Sequence, residues 1–331
     1  MKRILKTFST IGETRIALFE AGRLVELHIA RDWERGLPAN GDTFTGRVRF
    51  IDNSLGAAFV DLANGPDGFL RFTTSPGAPR LNEGDLLDAR VSRAAEKGKG
   101  PILTYTGPAT QDAPGPIEQR DLLARLQRRY PDAKTQEASS LPRLSDIAVI
   151  ELAIPGGGSV AIEQTRAMVA IDVDKGAQIS GINTGSAAAD LIAHQLRLRG
   201  LGGLVCVDFP NLRQPKKKQA LAKAIAVSFA DDPAKPKLAP LSRFGVLEMT
   251  RLRDTRSLDQ LLLETPEETA AIEAIEDLLR EAKANPGAQL VVTIPAALRP
   301  IIDTHTPAIT ERIGARLTIE TGEHISIVAD R

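Results

Sequence analysis

A chain of 331 residues is too long for one small module, and with 42% apolar residues it can bury the cores of two or three domains. Its 42 basic residues are balanced by 42 acidic ones, so no overall field draws it onto a polyanion or an anionic membrane, and any such site must be a local patch. No apolar run reaches the roughly 18 residues needed to span a bilayer, and the basic start Met1-Lys2-Arg3 leads into no continuous apolar segment; the chain reads as soluble and cytoplasmic.

In chain order, residues 14–20 and 24–29 predict a hairpin around Ala21-Gly22-Arg23, and Pro38 to Asp42 a hinge. Short strands follow at 44–51, 57–62, 68–72, 85–91 and 101–105, punctuated by glycine, proline and asparagine, which suits a five-stranded Greek-key barrel. Residues 107–120, with Pro108, Pro114 and Pro116, read as a linker, and 121–130 as a basic amphipathic helix. A hairpin over 147–154 and 159–163 turns at Pro155-Gly156-Gly157-Gly158, which lacks the lysine and helix context of a phosphate-binding loop.

Strand 168–174, helix 186–199 and strand 203–209 give a strand–helix–strand order typical of α/β packing, with Thr184 or Ser186 as cap and Gly200 past the helix end. Helix 216–229, a return to the sheet over 238–249, and an acidic helix at 265–284 come next. Strand 289–294, a helix from 296, and strands near 315–320 and 324–328 complete a small α+β unit. The lone cysteine, Cys206, excludes an intrachain disulfide or a multi-cysteine zinc knuckle, and reads as a buried inert thiol.

Two carboxylates close apolar strands: Asp172 in Met168-Val169-Ala170-Ile171-Asp172-Val173-Asp174 and Asp208 in Leu204-Val205-Cys206-Val207-Asp208. A charge in such a setting must be solvated, paired or bound to a cation. Strand alternation puts Asp174 on the face of Asp172. A crossover helix that sets the two strands side by side makes a divalent-metal site, and hard carboxylate oxygens favour Mg²⁺, with Mn²⁺ as substitute, over zinc. His28, His194, His305 and His324 show no metal spacing.

Such an ion polarises a phosphoryl oxygen and lowers the pKa of a bound water, so hydrolysis needs no covalent enzyme intermediate. The ladder Arg197 and Arg199, the cluster Arg213, Lys216, Lys217 and Lys218, and then Arg243 and Arg251 are candidate phosphate contacts. In the barrel, Phe59 and Phe69 are either base-stacking platforms or core, and Lys97 and Lys99 either hold phosphates or sit in a solvated loop.

Three blocks resemble the ribonuclease E/G family of bacterial endoribonucleases: residues 157–174, residues 192–209, and Ser242-Arg243-Phe244-Gly245-Val246-Leu247-Glu248-Met249-Thr250-Arg251. The barrel is similar to the family's inserted S-one-type OB domain. The resemblance implies an α+β multidomain chain. Residues 1–38 would form a hairpin segment on the catalytic body, 39–107 the OB-fold RNA-binding barrel, and 108–146 a linker and basic helix, a reduced sensor or RNase H-like region. Residues 147–262 would form a DNase I-like catalytic domain and 263–331 a small C-terminal domain.

It further implies that Asp172 and Asp208 bind catalytic Mg²⁺, with Asp174 auxiliary, and that Phe59, Phe69 and Lys99 contact RNA. The expected activity is hydrolysis of single-stranded RNA, such as rRNA precursors or mRNA, to 5′-phosphate products. The alternative is a catalytically inactive RNA-binding relative. Departures are aspartate at 174 where the family usually has asparagine, a shorter loop before helix 186–199, and no room in 107–146 for the 5′-end sensor. The cysteine pair that links subunits through zinc is absent between Leu258 and Pro266, so neither zinc nor a zinc-linked dimer is expected. The oligomeric state stays open.

Overall fold

The computed structural model describes residues 2–74, 77, 80–95, 99–174, 184–210, 215–253 and 255–330. The chain divides into two compact units: Met1–Trp33, Ala133–Leu252 and Ser257–Arg331 make one, and Glu34–Asp132 with Arg253–Arg256 the other.

The first unit opens with strands β1 (Arg3–Thr10), β2 (Glu13–Glu20) and β3 (Arg23–Arg31), an antiparallel meander with one strand more than the expected hairpin. The second unit follows: β4 (Thr43–Asp52), β5 (Ala57–Asp61), β6 (Gly68–Arg71), β7 (Leu86–Arg93), β8 (Ile102–Pro108), β9 (Gly115–Glu118) and helix α1 (Leu122–Arg129). The sheet order β5-β6-β8-β7-β4 closes on itself through a β4–β5 pairing, so five strands form a barrel, with β6 and β8 parallel and the other pairs antiparallel.

Phe44, Val48, Val60, Leu70, Leu87, Val91 and Leu103 fill its interior. Gly68 admits Leu103, whose Cδ1 would lie 2.4 Å from any Cβ there. Part of the expected linker is instead β9, paired along β4, because Gly115 and Pro116 lie extended against Thr45 and Phe44.

The chain then re-enters the first unit. Strand β10 (Lys134–Glu137) pairs in parallel with β1, giving the order β10-β1-β2-β3. Helix α2 (Leu144–Ile147) takes the place of the start of the expected 147–154 strand, which shortens to β11 (Glu151–Ala153). Next come β12 (Ser159–Gln164), β13 (Val169–Asp174), α3 (Thr184–Leu198), β14 (Gly203–Asp208), α4 (Pro215–Ser228), β15 (Lys237–Leu238) and β16 (Val246–Arg251). They form a six-stranded mixed sheet, β11-β12-β13-β14-β16-β15.

Alternate residues Val160, Ile162, Val169, Ile171, Val173, Val205, Val207, Leu247 and Met249 share one core with Ile192 and Leu196 of α3 and Leu221 and Ile225 of α4. Gly200, at φ 66°, ends the first crossover as expected. Helices α5 (Leu258–Glu264), α6 (Pro266–Ala284) and α7 (Arg299–Ile313) complete the unit with β17 (Gln289–Ile294), β18 (Leu317–Thr321) and β19 (Ser326–Asp330), ordered β18-β17-β19. Among the described residues no helix is long and apolar enough to cross a membrane.

Strand β2, buried on both sides, carries charges that only pairing makes tolerable. Arg15 bonds Glu13, the Glu276 carboxylate of α6 at 2.9 Å and the Leu141 carbonyl at 3.2 Å, while Arg31 reaches Glu13 at 2.6 Å. At the far end of β2 the Arg197 guanidinium beside Glu20 holds that carboxyl below its ordinary value of 4.5, against the opposing pull of burial. A carboxylate whose folded value is depressed adds stability that is full above the unfolded value and lost as pH falls through the folded one. Glu20→Gln is therefore expected to lower the thermal midpoint at neutral pH and to flatten its decline below pH 4.5, as read by circular dichroism melts across pH.

Candidate functional site

The parallel pairing of β13 with β14 sets Asp172 directly opposite Asp208 as Cα partners. The valines and isoleucines of both strands are committed to the helix-covered core, so period-two alternation turns both carboxylates to the opposite face, where both are exposed. Asp174 lies one pleat further along the same face, opposite Ser159. Cys206 shares that face too: flanked by the core residues Val205 and Val207, it sits half-exposed beside Glu248 rather than buried as expected. Desolvation, helped by the Glu248 charge, pushes its thiol up, so it stays protonated and inert.

Neither Asp172 nor Asp208 has a hydrogen-bond or ion-pair partner among the described residues. Their oxygens are hard donors with free lone pairs. No group of three or more histidine, cysteine, aspartate or glutamate side chains close enough to hold a metal occurs among the described residues. Two carboxylates with the remaining positions left to water and phosphate fit the coordination habit of Mg²⁺ and not a closed zinc site. His194 is no ligand: its Nε2–H donates to the Leu24 carbonyl at 2.7 Å, and burial lowers its pKa.

The same sheet edge receives two further elements. Helix α4 begins with Lys216 and Lys217 exposed, and Lys218 donates to the Ser242 carbonyl at 2.5 Å. Val246, first residue of β16, is the partner of Asp208, so the turn that precedes it lies beside the acid pair. In that turn Arg243 stacks over the Phe244 ring at 4.6 Å. Phe244 stands in the third block of the sequence but is not among the candidate site residues read there; its 76% exposure is visible only in the structure.

Two arginines assigned to phosphate face inward, and a third is largely committed. Arg199 is 1% exposed; it grips Asp259 with two donors and the Val149 carbonyl with a third, at 2.9 Å. Arg251 is 7% exposed, held by Asp232 at 2.8 and 3.0 Å and by the Leu201 carbonyl. Arg197 bonds Glu20 and Glu26 at 2.8 to 3.0 Å, and against the lowering effect of burial those carboxylates together push its pKa up. Their donors are spent on buried or half-buried carboxylates, so these three are corrected to structural struts. Lys97 and Arg213 lie outside the described residues, and Lys99 is exposed.

On the barrel, Phe59 and Phe69 are cross-strand partners on the outer face, 5.5 Å apart edge to face, and not core. Phe50 extends the row as the partner of Phe59, with ring centroids 6.1 Å apart, and Arg71 stacks on Phe69 at 5.8 Å. Simple alternation would send Phe50 inward with Val48. A register shift between them, at Arg49, turns Phe50 out to 52% exposure, which is why the sequence reading missed it.

The first unit is thus an α+β assembly whose open sheet face presents a matched pair of carboxylates, and the second a barrel with an aromatic outer face. Residues 140–254, about a third of the chain, match the family described as Ribonuclease E/G family. It is similar to Ribonuclease E of Escherichia coli (strain K12), 38% identical over 117 residues, which are 33% of this chain and 11% of that protein. Ribonuclease G of Haemophilus influenzae (strain ATCC 51907 / DSM 11121 / KW20 / Rd) is 28% identical over 191 residues, covering 51% of this chain and 39% of the relative. Ribonuclease G of Escherichia coli (strain K12) is 31% identical over 116 residues, 33% and 24% of the two chains. The alignments therefore span a minor part of each of these relatives.

Because breaking a buried ion pair strands the remaining charge, Arg199→Ala is expected to destabilise the fold by about 3–5 kcal/mol. Lys217→Ala, on an exposed helix face, should change stability by less than about 0.5 kcal/mol. Chemical denaturation of the two variants checks the contrast.

Proposed function

We propose that this chain is a Mg²⁺-dependent endoribonuclease acting on unpaired RNA, such as rRNA precursors or mRNA, in the cytoplasm. The observation that carries the reading is the register pairing of Asp172 with Asp208 on an exposed sheet face, at the carboxyl ends of two parallel strands. The edge beyond such strand ends is where open α/β sheets bind ligands. The family match over residues 140–254 and the similarity to Ribonuclease E and Ribonuclease G support the ribonuclease role.

Asp172 and Asp208 would hold the cation, and Asp174, on the same face, would orient the attacking water toward phosphorus. Mg²⁺ bound there would supply charge stabilisation for the phosphoryl oxygens and lower the pKa of a bound water; water adds to phosphorus as the P–O3′ bond breaks, leaving a 5′-phosphate and a 3′-hydroxyl. Exposed Lys216, Lys217 and Arg243 neutralise backbone phosphates along the edge, as point charges that position the strand without reading its bases.

In the barrel, the closed order of first, second, third, fifth and fourth strands matches an OB-type topology, whose second and third strands form the nucleic-acid face. Those are β5 and β6, which carry Phe59 and Phe69, and Lys99 lies just before β8. We assign the six-stranded sheet with α3 and α4 as the DNase I-like subdomain and residues 263–331 as the small domain.

Asp172→Asn and Asp208→Asn are each expected to cut the turnover of a short unpaired RNA in Mg²⁺ by about a hundredfold or more, with melting unchanged and EDTA silencing the parent. Cleavage at the parental rate by either variant would remove the assignment. Phe59→Ala and Phe69→Ala should each weaken RNA binding by about 1–3 kcal/mol, measured by fluorescence anisotropy in EDTA, while poly-purine and poly-pyrimidine strands lose affinity alike.

A further inference from the structure

The turn between β15 and β16 is built more rigidly than a connection requires. Ser242 N–H donates to the Val246 carbonyl at 2.9 Å and Gly245 N–H to the Ser242 carbonyl at 3.2 Å. The Ser242 hydroxyl accepts from the Phe244 and Val246 amides at 3.3 and 3.1 Å. Lys218, from the first turn of α4, clamps the Ser242 carbonyl from outside. Gly245, at φ 97°, permits the reversal.

All of this order holds out a ring that is 76% exposed, against the hydrophobic tendency of phenylalanine. Its neighbour Arg243 stacks on it at 4.6 Å instead of pairing with an acid, so an aromatic face and a positive charge are offered together. Two residues beyond the ring, Val246 pairs with Asp208.

We propose that Phe244, backed by Arg243, is a specificity-determining stacking site for the nucleobase adjoining the phosphodiester bond held at Asp172 and Asp208. This rests on reading that face as the nuclease site. A phosphate at the acid pair leaves its neighbouring base within reach of a ring one short turn away on the adjacent strand, and a π-face accepts any base, with a preference for the better-stacking purines. The site is distinct from the barrel row of Phe50, Phe59 and Phe69. It acts at the cleaved bond, whereas the barrel acts on strand affinity.

The test uses the full chain, Phe244→Ala and Phe244→Trp, with a short unpaired RNA whose nucleotides are made abasic one at a time. In Mg²⁺, Phe244→Ala should lower kcat/KM about five- to a hundredfold and Phe244→Trp should keep it near parental. One abasic position beside the cleaved bond should slow the parent by a similar factor and leave Phe244→Ala no slower than it already is. Additive losses, or an alanine variant as active as the parent, would overturn the proposal.

A second readout is independent of cleavage. With 2-aminopurine at that position and Ca²⁺ in place of Mg²⁺, the parent should quench the fluorescence and Phe244→Ala should not. Equal quenching overturns the stacking site even if the parent is a nuclease. A parent that quenches but never cleaves keeps the stacking site and removes the nuclease reading.

Discussion

The whole arrangement depends on the parallel pairing of β13 and β14 over a helix-covered apolar layer. Val169, Ile171, Val173, Val205 and Val207 go under α3 and α4, and that burial fixes which way every other side chain of the two strands points. A slip of one residue would bury an aspartate and expose the valines, so the hydrophobic layer enforces the register as strictly as any direct contact between the acids could. The carboxylates are side by side because the residues between them have nowhere else to go.

This explains what the sequence made legible. Alternation in 169–174 and 203–208 places Asp172, Asp174 and Asp208 on one face, and glycine-punctuated strands announce the barrel. Features that depend on distant partners stay hidden. Arg197 and Arg199 look like an anionic-ligand ladder until Glu20, Glu26 and Asp259 arrive from elsewhere in the chain to take their donors. Phe50 is concealed by a bulge that no local pattern marks, and β9 by prolines that read as a linker. Cys206 reads as buried because its stretch is apolar, although strict alternation already aligns it with Asp208; the thiol is half-exposed and inert.

The equal numbers of acidic and basic residues also acquire a meaning. Arg15, Arg31, Arg143, Arg197, Arg199 and Arg251 pair with carboxylates inside the first unit. These six are spent as internal bracing, while among the described residues Lys216, Lys217 and Arg243 at the acid edge are exposed to solvent. A neutral protein can thereby present a locally positive rim around a negative pair. On the proposed reading such a rim would attract a polyanion, and the pair would repel it until a cation intervenes.

Strand β10 pairs in parallel with β1, Ile4 opposite Lys134, after the entire barrel has been made. Joining segments so remote costs loop entropy that grows with the free length between them, and a barrel that collapses on its own shortens that length. As the chain leaves the ribosome, the β1 edge of the meander stays uncovered until the barrel segment has been made and β10 emerges to pair with it. The insertion therefore delays closure of this sheet, and in the interval the outer flank of β1 is open to pairing with a strand of another chain.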